Sequence, residues 1–235
     1  MFNPEDGWVD LPGLISLLLK EFLALDGAVI TGAGECRVDH GDGKISGVIT
    51  GNGRRIRADR VLLAAGAGTP QLTTELGFEL PEQSPIAALV RARPVSGPTV
   101  LRSVLNTPRV SIRPTPTGAL VMDSGWSERE ITRLPGGRYE VQDSIVDGLL
   151  TEARTVLAGH PELELLGVGH GPKPIPADGE PVLGPLPGVD GCWVAFTHSG
   201  ATLALIAGEL LAEEMITRVP DPLLQTFRPD RFAAN

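Results

Sequence analysis

The stretch GPKPIPADGEPVLGPLPGVDGCWVAFTHSGATLALIAGELLAEEM, residues 171–215, decides how the rest of the chain is read. A proline-stiffened loop carries one lysine, Lys173, and one aspartate, Asp178. An apolar run over 192–196 reads as a strand, and His198-Ser199-Gly200 leads into a helical segment. Small residues at Ala204, Ala207, Gly208 and Ala212 suit a helix packed closely on a sheet. A helix start carries backbone N–H groups without partners, which attract anions. A glycine there lets a ligand come close to the backbone. The order loop, strand, glycine turn, helix is by itself that of an ordinary helix start, one able to receive an anion.

Working outward, ADRVLLAAGAGTPQL (58–72) holds an unbroken apolar run, Val61–Ala65. Continuous rather than alternating apolarity predicts a strand of a parallel sheet, covered on both faces. Gly66 and Gly68 end it, and a short helix is expected from Pro70. Upstream, Asp10 and Pro12 mark a helix start. Leu11, Leu14, Ile15, Leu18, Phe22 and Leu25 follow at helical spacing, widened by Leu17, Leu19 and Leu23, so this helix should be covered on more than one side. Short strands are expected at Ala28–Thr31, Cys36–Asp39 and Ile45–Thr50, with a hairpin turn at Gly41-Asp42-Gly43.

From Pro85 to about Gly169 the character changes. IAALVRARPV, TVLRSVL, RVSIRPT and GALVMDSG are short β-like runs divided by proline and glycine, which predicts an antiparallel sheet. VQDSIVDGLLTEARTVLAG reads as a helix lying on it, and LELLGVGHG as a returning strand.

The 235 residues carry a formal charge of −9, which disfavours nucleic-acid partners. Two cysteines, Cys36 and Cys192, lie far apart and make no C-x-x-C pair. Neither a signal peptide nor an apolar run of membrane-spanning length is visible, so the expected location is cytoplasmic. The four histidines lack paired spacing, and no metal site is expected. No G-x-G-x-x-G occurs: Arg37, Gln71 and Pro172 stand where the third glycine of the three glycine clusters belongs. A serine-hydrolase elbow is also absent, because Thr197 replaces its first glycine.

Residues 171–205 resemble the C-terminal signature of the FAD-dependent oxidoreductases of the D-amino-acid oxidase, glycine oxidase and sarcosine oxidase family. There a G-x-R-P-x-x-x-D-G-x-P-x-x-G loop precedes a strand, a G-H-S-G-like turn and a long helix. ADRVLLAAGAG is similar to the family's flavin-domain strand, PEDGWVDLPGLISLLL to the helix start upstream, and SIRPTPTGAL to a segment of its substrate domain.

The resemblance implies a mixed α/β (α+β) fold. Residues 1–80 and 171–220 would form a partial, Rossmann-like FAD-binding domain. Residues 81–170 would form an inserted antiparallel substrate domain, and 221–235 a C-terminal tail. The family opens with a βαβ unit for the ADP half of FAD, and this sequence starts downstream of it. A truncated, non-catalytic remnant is one expectation. The other is a subunit completed by a second chain carrying G-x-G-x-x-G, or by a homo-oligomer.

The implied chemistry is oxidation of a C–N bond in a small amine or amino acid, with hydride passing to the flavin. Lys173 falls where the family has a carboxylate-gripping arginine; it keeps the charge but lacks the planar fork. Arg113 is the second substrate-binding candidate. Ala65, Gly66, Ser199, Gly200, Ala201 and Thr202 are the FAD-binding candidates: the helix mouth at 199–202 would stabilise negative charge on a reduced flavin. Asp178-Gly179 reads as a turn rather than chemistry.

Overall fold

The computed structural model describes residues 3, 5, 7–97, 101–135 and 138–233. In chain order it shows helix α1 (Leu11–Ala24) and strands β1 (Arg37–Gly41), β2 (Lys44–Ile49), β3 (Arg55–Arg57) and β4 (Val61–Leu63). Helix α2 (Thr69–Glu75) and strands β5 (Ile86–Pro94), β6 (Leu105–Asn106), β7 (Ser111–Pro114) and β8 (Leu120–Asp123) follow. Next come helix α3 (Gly125–Glu130), strands β9 (Thr132–Arg133) and β10 (Tyr139–Glu140), and helix α4 (Asp143–Val156). Strands β11 (Leu163–Pro172), β12 (Val182–Pro185) and β13 (Cys192–Phe196) and helix α5 (Gly200–Thr217) complete the series. Contacts divide the chain into two units: residues up to Ser16 with Pro85–Pro172, and Leu17–Ser84 with the chain from Lys173 onward.

The first unit is built on a five-stranded antiparallel sheet, ordered β11-β5-β8-β7-β6. Strand β5 shows the governing pattern: Ile86, Ala88, Val90 and Ala92 are buried, while Leu89, Arg91 and Arg93 are exposed. This period of two puts one face on a core and leaves the other for polar residues. Helix α4 covers the core face with Ile145, Val146, Leu149 and Ala153, the spacing that lines up one side of a helix. Burying Leu149 alone stabilises the unit by about 2 kcal/mol. Part of the run TVLRSVL lies outside the described residues, and what is described of it forms only β6.

The second unit holds two three-stranded sheets, β1-β2-β3 and β12-β13-β4. Strands β1 and β2 are antiparallel, and both Asp42 and Gly43 have positive φ, the geometry of a tight hairpin turn. Strand β13 runs antiparallel to β12 and parallel to β4, with Cys192, Trp193 and Val194 opposite Val61, Leu62 and Leu63. One face of this sheet, with Val182, Val194, Phe196 and Leu63, packs on Ile45, Phe78 and Leu80. The other, with Leu183 and Trp193, packs on Ala207 and Leu211 of α5. Burial pushes the Cys192 thiol up to about 11, so this cysteine is a packing residue rather than a nucleophile.

Three expectations are corrected here. Ala28–Thr31 forms no strand: Val29 and Ile30 are exposed, and among the described residues no strand offers the segment a ladder. The Val61–Ala65 run ends as a strand at Leu63, and one of its faces is open, with Leu62 39 % exposed. Helix α1 buries no residue; Ile15, Leu17, Leu18, Phe22 and Leu23 all lie exposed. Its apolarity is a surface rather than a core face. The segment after residue 220 folds as two 3-10 turns, Pro222–Phe227 and Pro229–Phe232, and buries Leu224 beside Trp193 and Leu211. No helix among the described residues is long and apolar enough to cross a membrane.

Candidate functional site

Strands β4 and β13 are hydrogen-bonded neighbours running the same way, so their carboxyl ends lie side by side, about 5 Å apart. The chain leaves β4 through Ala64, Ala65 and Gly66 and leaves β13 through Thr197, His198 and Ser199. The topology thus brings Ala65 and Gly66 to the same sheet end as Ser199, Gly200, Ala201 and Thr202. In open α/β sheets this end is where ligands sit.

Each loop has a local reason for its shape. Gly66 has φ +56, which a side chain would strain, and a Cβ built there meets nothing within 4 Å. The buried hydroxyl of Thr69 accepts the Ala65 N–H at 3.1 Å and holds the bend. On the other loop, the Ser199 N–H donates to Thr197 Oγ1 at 3.1 Å. Ser199 is the N-cap of α5, yet its side chain makes no capping bond. Its carbonyl accepts from the Thr202 and Leu203 amides, which leaves the opening amides of the helix for another acceptor. A Cβ on Gly200 would also meet open space. Ala64, Ala65, Ala201 and Thr202 are exposed around these glycines. Small residues, open space and unengaged amides at one sheet end fit the ring end of a flavin.

Lys173 opens the proline loop of the same unit and is half-buried. The loop is held at several points. The Gln83 N–H donates to Ile175 O at 2.8 Å, the Ala177 N–H donates to Pro81 O at 3.0 Å, and the Gln83 side chain donates to Ala177 O. Asp178 has a structural role. Its carboxylate accepts from Arg231 Nε at 2.8 Å and Nη2 at 3.1 Å, and from the Glu180 N–H at 3.1 Å. Arg113 belongs to the other unit, on β7, half-buried on the sheet face opposite the α4 core.

The Arg231 hydrogen bonds hold the Asp178 carboxyl below its ordinary range, against a smaller opposing effect of burial. A folded-state value below the unfolded one stabilises the fold above the unfolded pKa, near 3.9, and that contribution is lost as pH falls through the folded value. Asp178→Asn should therefore cost at most about 1 kcal/mol near neutrality, since the pair is partly exposed. The wild-type advantage should shrink progressively as pH falls below the unfolded value. Denaturation midpoints measured from pH 7 to pH 2 check this; parallel curves for the two proteins would count against it.

Sequence reasoning missed Thr69, Arg231 and the Glu214–Arg228 pair. Thr69-Pro70 at a helix start was a visible signal for the first, because threonine commonly caps such starts. The other partners lie 53 and 14 positions apart and left no local pattern.

Comparison with known proteins bears on the same elements. The model of the family described as DAO, FAD dependent oxidoreductase, matches residues 1–214. A glycine oxidase of Pseudomonas aeruginosa is 31 % identical over 179 residues, which is 75 % of this chain and 47 % of that protein. A D-amino acid dehydrogenase of Cereibacter sphaeroides is 27 % identical over 218 residues, 87 % of this chain and 45 % of that one. The chain thus spans about half the length of the curated relatives it matches. Among solved structures, iminodiacetate oxidase from Chelativorans sp. BNC1 shares the fold with a TM-score of 0.75 at 19 % identity, covering 92 % of this chain and 57 % of that one. The match over residues 1–214 and the glycine oxidase relative show that the chain belongs to the DAO family of FAD dependent oxidoreductases.

Proposed function

We propose that this chain carries the flavin-ring and substrate-binding parts of an FAD-dependent oxidoreductase acting on a C–N bond of a small amine or amino acid. The supporting observation is the pair of glycine-led loops at the carboxyl end of the parallel β4–β13 pair. Ala65 and Gly66 on one side and Ser199, Gly200, Ala201 and Thr202 on the other would hold FAD. Bound there, FAD would supply a two-electron acceptor. The chain's own work is positioning and electrostatics. The opening amides of α5 would favour negative charge beside them. The Lys173 ammonium would orient a substrate carboxylate, and Arg113, on the substrate-domain sheet of the other unit, is a separate candidate for binding substrate. The glycine oxidase, D-amino acid dehydrogenase and iminodiacetate oxidase relatives are named for reactions of this class.

A second reading is favoured by helix α1 and its exposed apolar side chains. In it the chain is a non-catalytic remnant or a subunit, and polypeptide carrying the ADP-binding unit covers that surface. The two readings predict different spectra. Purified with excess FAD, the chain alone should be colourless or lose flavin on gel filtration. Stable yellow protein with one flavin per chain would sink the second reading. For the first, the flavin-loaded assembly should bleach anaerobically with a small amine or amino acid, and Lys173→Met should raise the concentration of carboxylate substrate needed by about tenfold or more. An assembly that holds flavin but bleaches with no amine or amino acid would overturn it.

A further inference from the structure

Strands β5, β8 and β7 set Arg91, Val121 and Arg113 directly opposite one another in register. All three lie on the face away from α4: their chain neighbours Val90, Ala92, Ile112, Leu120 and Met122 are in the core. Two strand spacings, about 10 Å, separate the two arginine backbones. Among the described residues, no side-chain hydrogen bond or ion pair engages the Arg91 or Arg113 guanidinium. The comparison within β5 is informative. Arg93 points to the same face, stands opposite Glu164 on β11, and is bound to it at 2.7 Å. Arg91 stands opposite Gly167, which has no side chain to offer. The sheet therefore neutralises one arginine and leaves its neighbour open.

Arg113 is half-buried, and Val121 between the two arginines is 4 % exposed. The Arg113 end of the row is screened from water, where an anion is held more strongly than on an open surface, while Arg91 is exposed. A half-buried guanidinium without an anion is a costly arrangement that a bound carboxylate would relieve. Asp123, the carboxylate nearest in the ladder, lies opposite Ser111 rather than opposite either arginine.

We propose that Arg91 and Arg113 form a paired grip for a small dicarboxylate, one carboxylate to each guanidinium, and that the substrate is a dicarboxylic amino acid or amine. The substrate role rests on the oxidoreductase reading above; the binding does not. Val121 sets the spacing between the two charges, and Gly167 keeps the outer side of Arg91 clear.

Calorimetric titration of the full chain with glutarate and with butyrate tests the grip. Glutarate should bind at least about tenfold tighter than butyrate, the scale of one charge-assisted hydrogen-bonded pair. Arg91→Gln and Arg113→Gln should each reduce glutarate to the butyrate level, with circular dichroism confirming the fold. Arg113→Lys, which keeps the charge, should fall between. Arg57→Gln, an exposed arginine on β3 of the other unit, should change nothing. Equal binding of the two ligands, or glutarate binding indifferent to both arginines, overturns the proposal. If the arginines govern glutarate binding but the flavin-loaded assembly bleaches with no amine, the grip stands and the oxidoreductase reading falls. If neutral amino acids bleach it as readily as aspartate or glutamate and glutarate shows no preference, the grip falls and the reading stands.

Discussion

Arg228→Met should destabilise the protein by about 3–5 kcal/mol, the usual cost of leaving one member of a buried ion pair alone. Arg228 Nη2 donates to Glu214 Oε2 at 2.9 Å, and the two side chains are only 13 % and 4 % exposed. Glu214 sits on α5 and is one of three residues that the helix buries, with Ala207 and Leu211. Arg228 comes from the segment between the two closing 3-10 turns and lies over Gly184 of β12, where a Cβ would strike its side chain. Methionine keeps most of the stem and removes only the charge, so the loss measures the stranded carboxylate rather than a cavity. Against the 5–15 kcal/mol typical of a whole fold this is a large fraction, equivalent to a fall in melting temperature of roughly 10 °C. Arg228 also keeps one buried nitrogen, Nη1, without a partner, so the wild-type pair is imperfectly satisfied. The double variant Glu214→Leu, Arg228→Met should therefore recover most of the stability. Urea denaturation of the three proteins decides it: a single-variant cost below about 1 kcal/mol would show that the pair is not isolated from water.

That pair illustrates what the sequence could and could not reveal. Local periodicity was enough for β5 and α4, because one element's burial pattern repeats within its own residues: Ile86, Ala88, Val90 and Ala92 on the strand, Ile145, Leu149 and Ala153 on the helix. The unbroken run at Val61 likewise announced a strand with a parallel neighbour, which β13 provides. The same reasoning failed for α1, where an apolar pattern describes which face is suited to burial and not whether anything lies against it. It failed for Ala28–Thr31, because β propensity without a neighbouring ladder leaves backbone groups unpaired. The order of the segment after residue 220 left no local signal, because it comes from contacts distant in sequence: Leu224 with Trp193, Arg231 with Asp178, Arg228 with Glu214. For the site, the motif located both glycine loops, but the openness of Arg91 emerges only from register, since Gly167 and Arg91 meet across a bulged strand pair.

Ala201→Glu should separate the flavin role of the α5 mouth from its structural role. Ala201 is exposed in the first turn of an 18-residue helix that has no acidic residue there and no side-chain cap. A carboxylate in that position opposes the positive end of the helix dipole and should leave stability unchanged or raise it by about 0.3–1 kcal/mol. Any anionic group held by the same amides would meet a like charge and lose its hydrogen-bond donors. On the proposed reading, FAD affinity should fall by about tenfold or more, 1.4 kcal/mol, in the protein or assembly that holds the flavin. Ala201→Gln adds nearly the same bulk without charge and should lose less. Ala212→Glu, exposed further along the helix, should bind FAD as the wild type does. Fluorescence quenching of FAD on titration gives the affinities, and thermal melts give the stabilities. Opposite signs for the two effects are the signature of a helix mouth that faces an anionic cofactor. An Ala201→Glu protein that binds FAD unchanged would mean that the flavin ring lies elsewhere and that the open space at Gly200 is only surface.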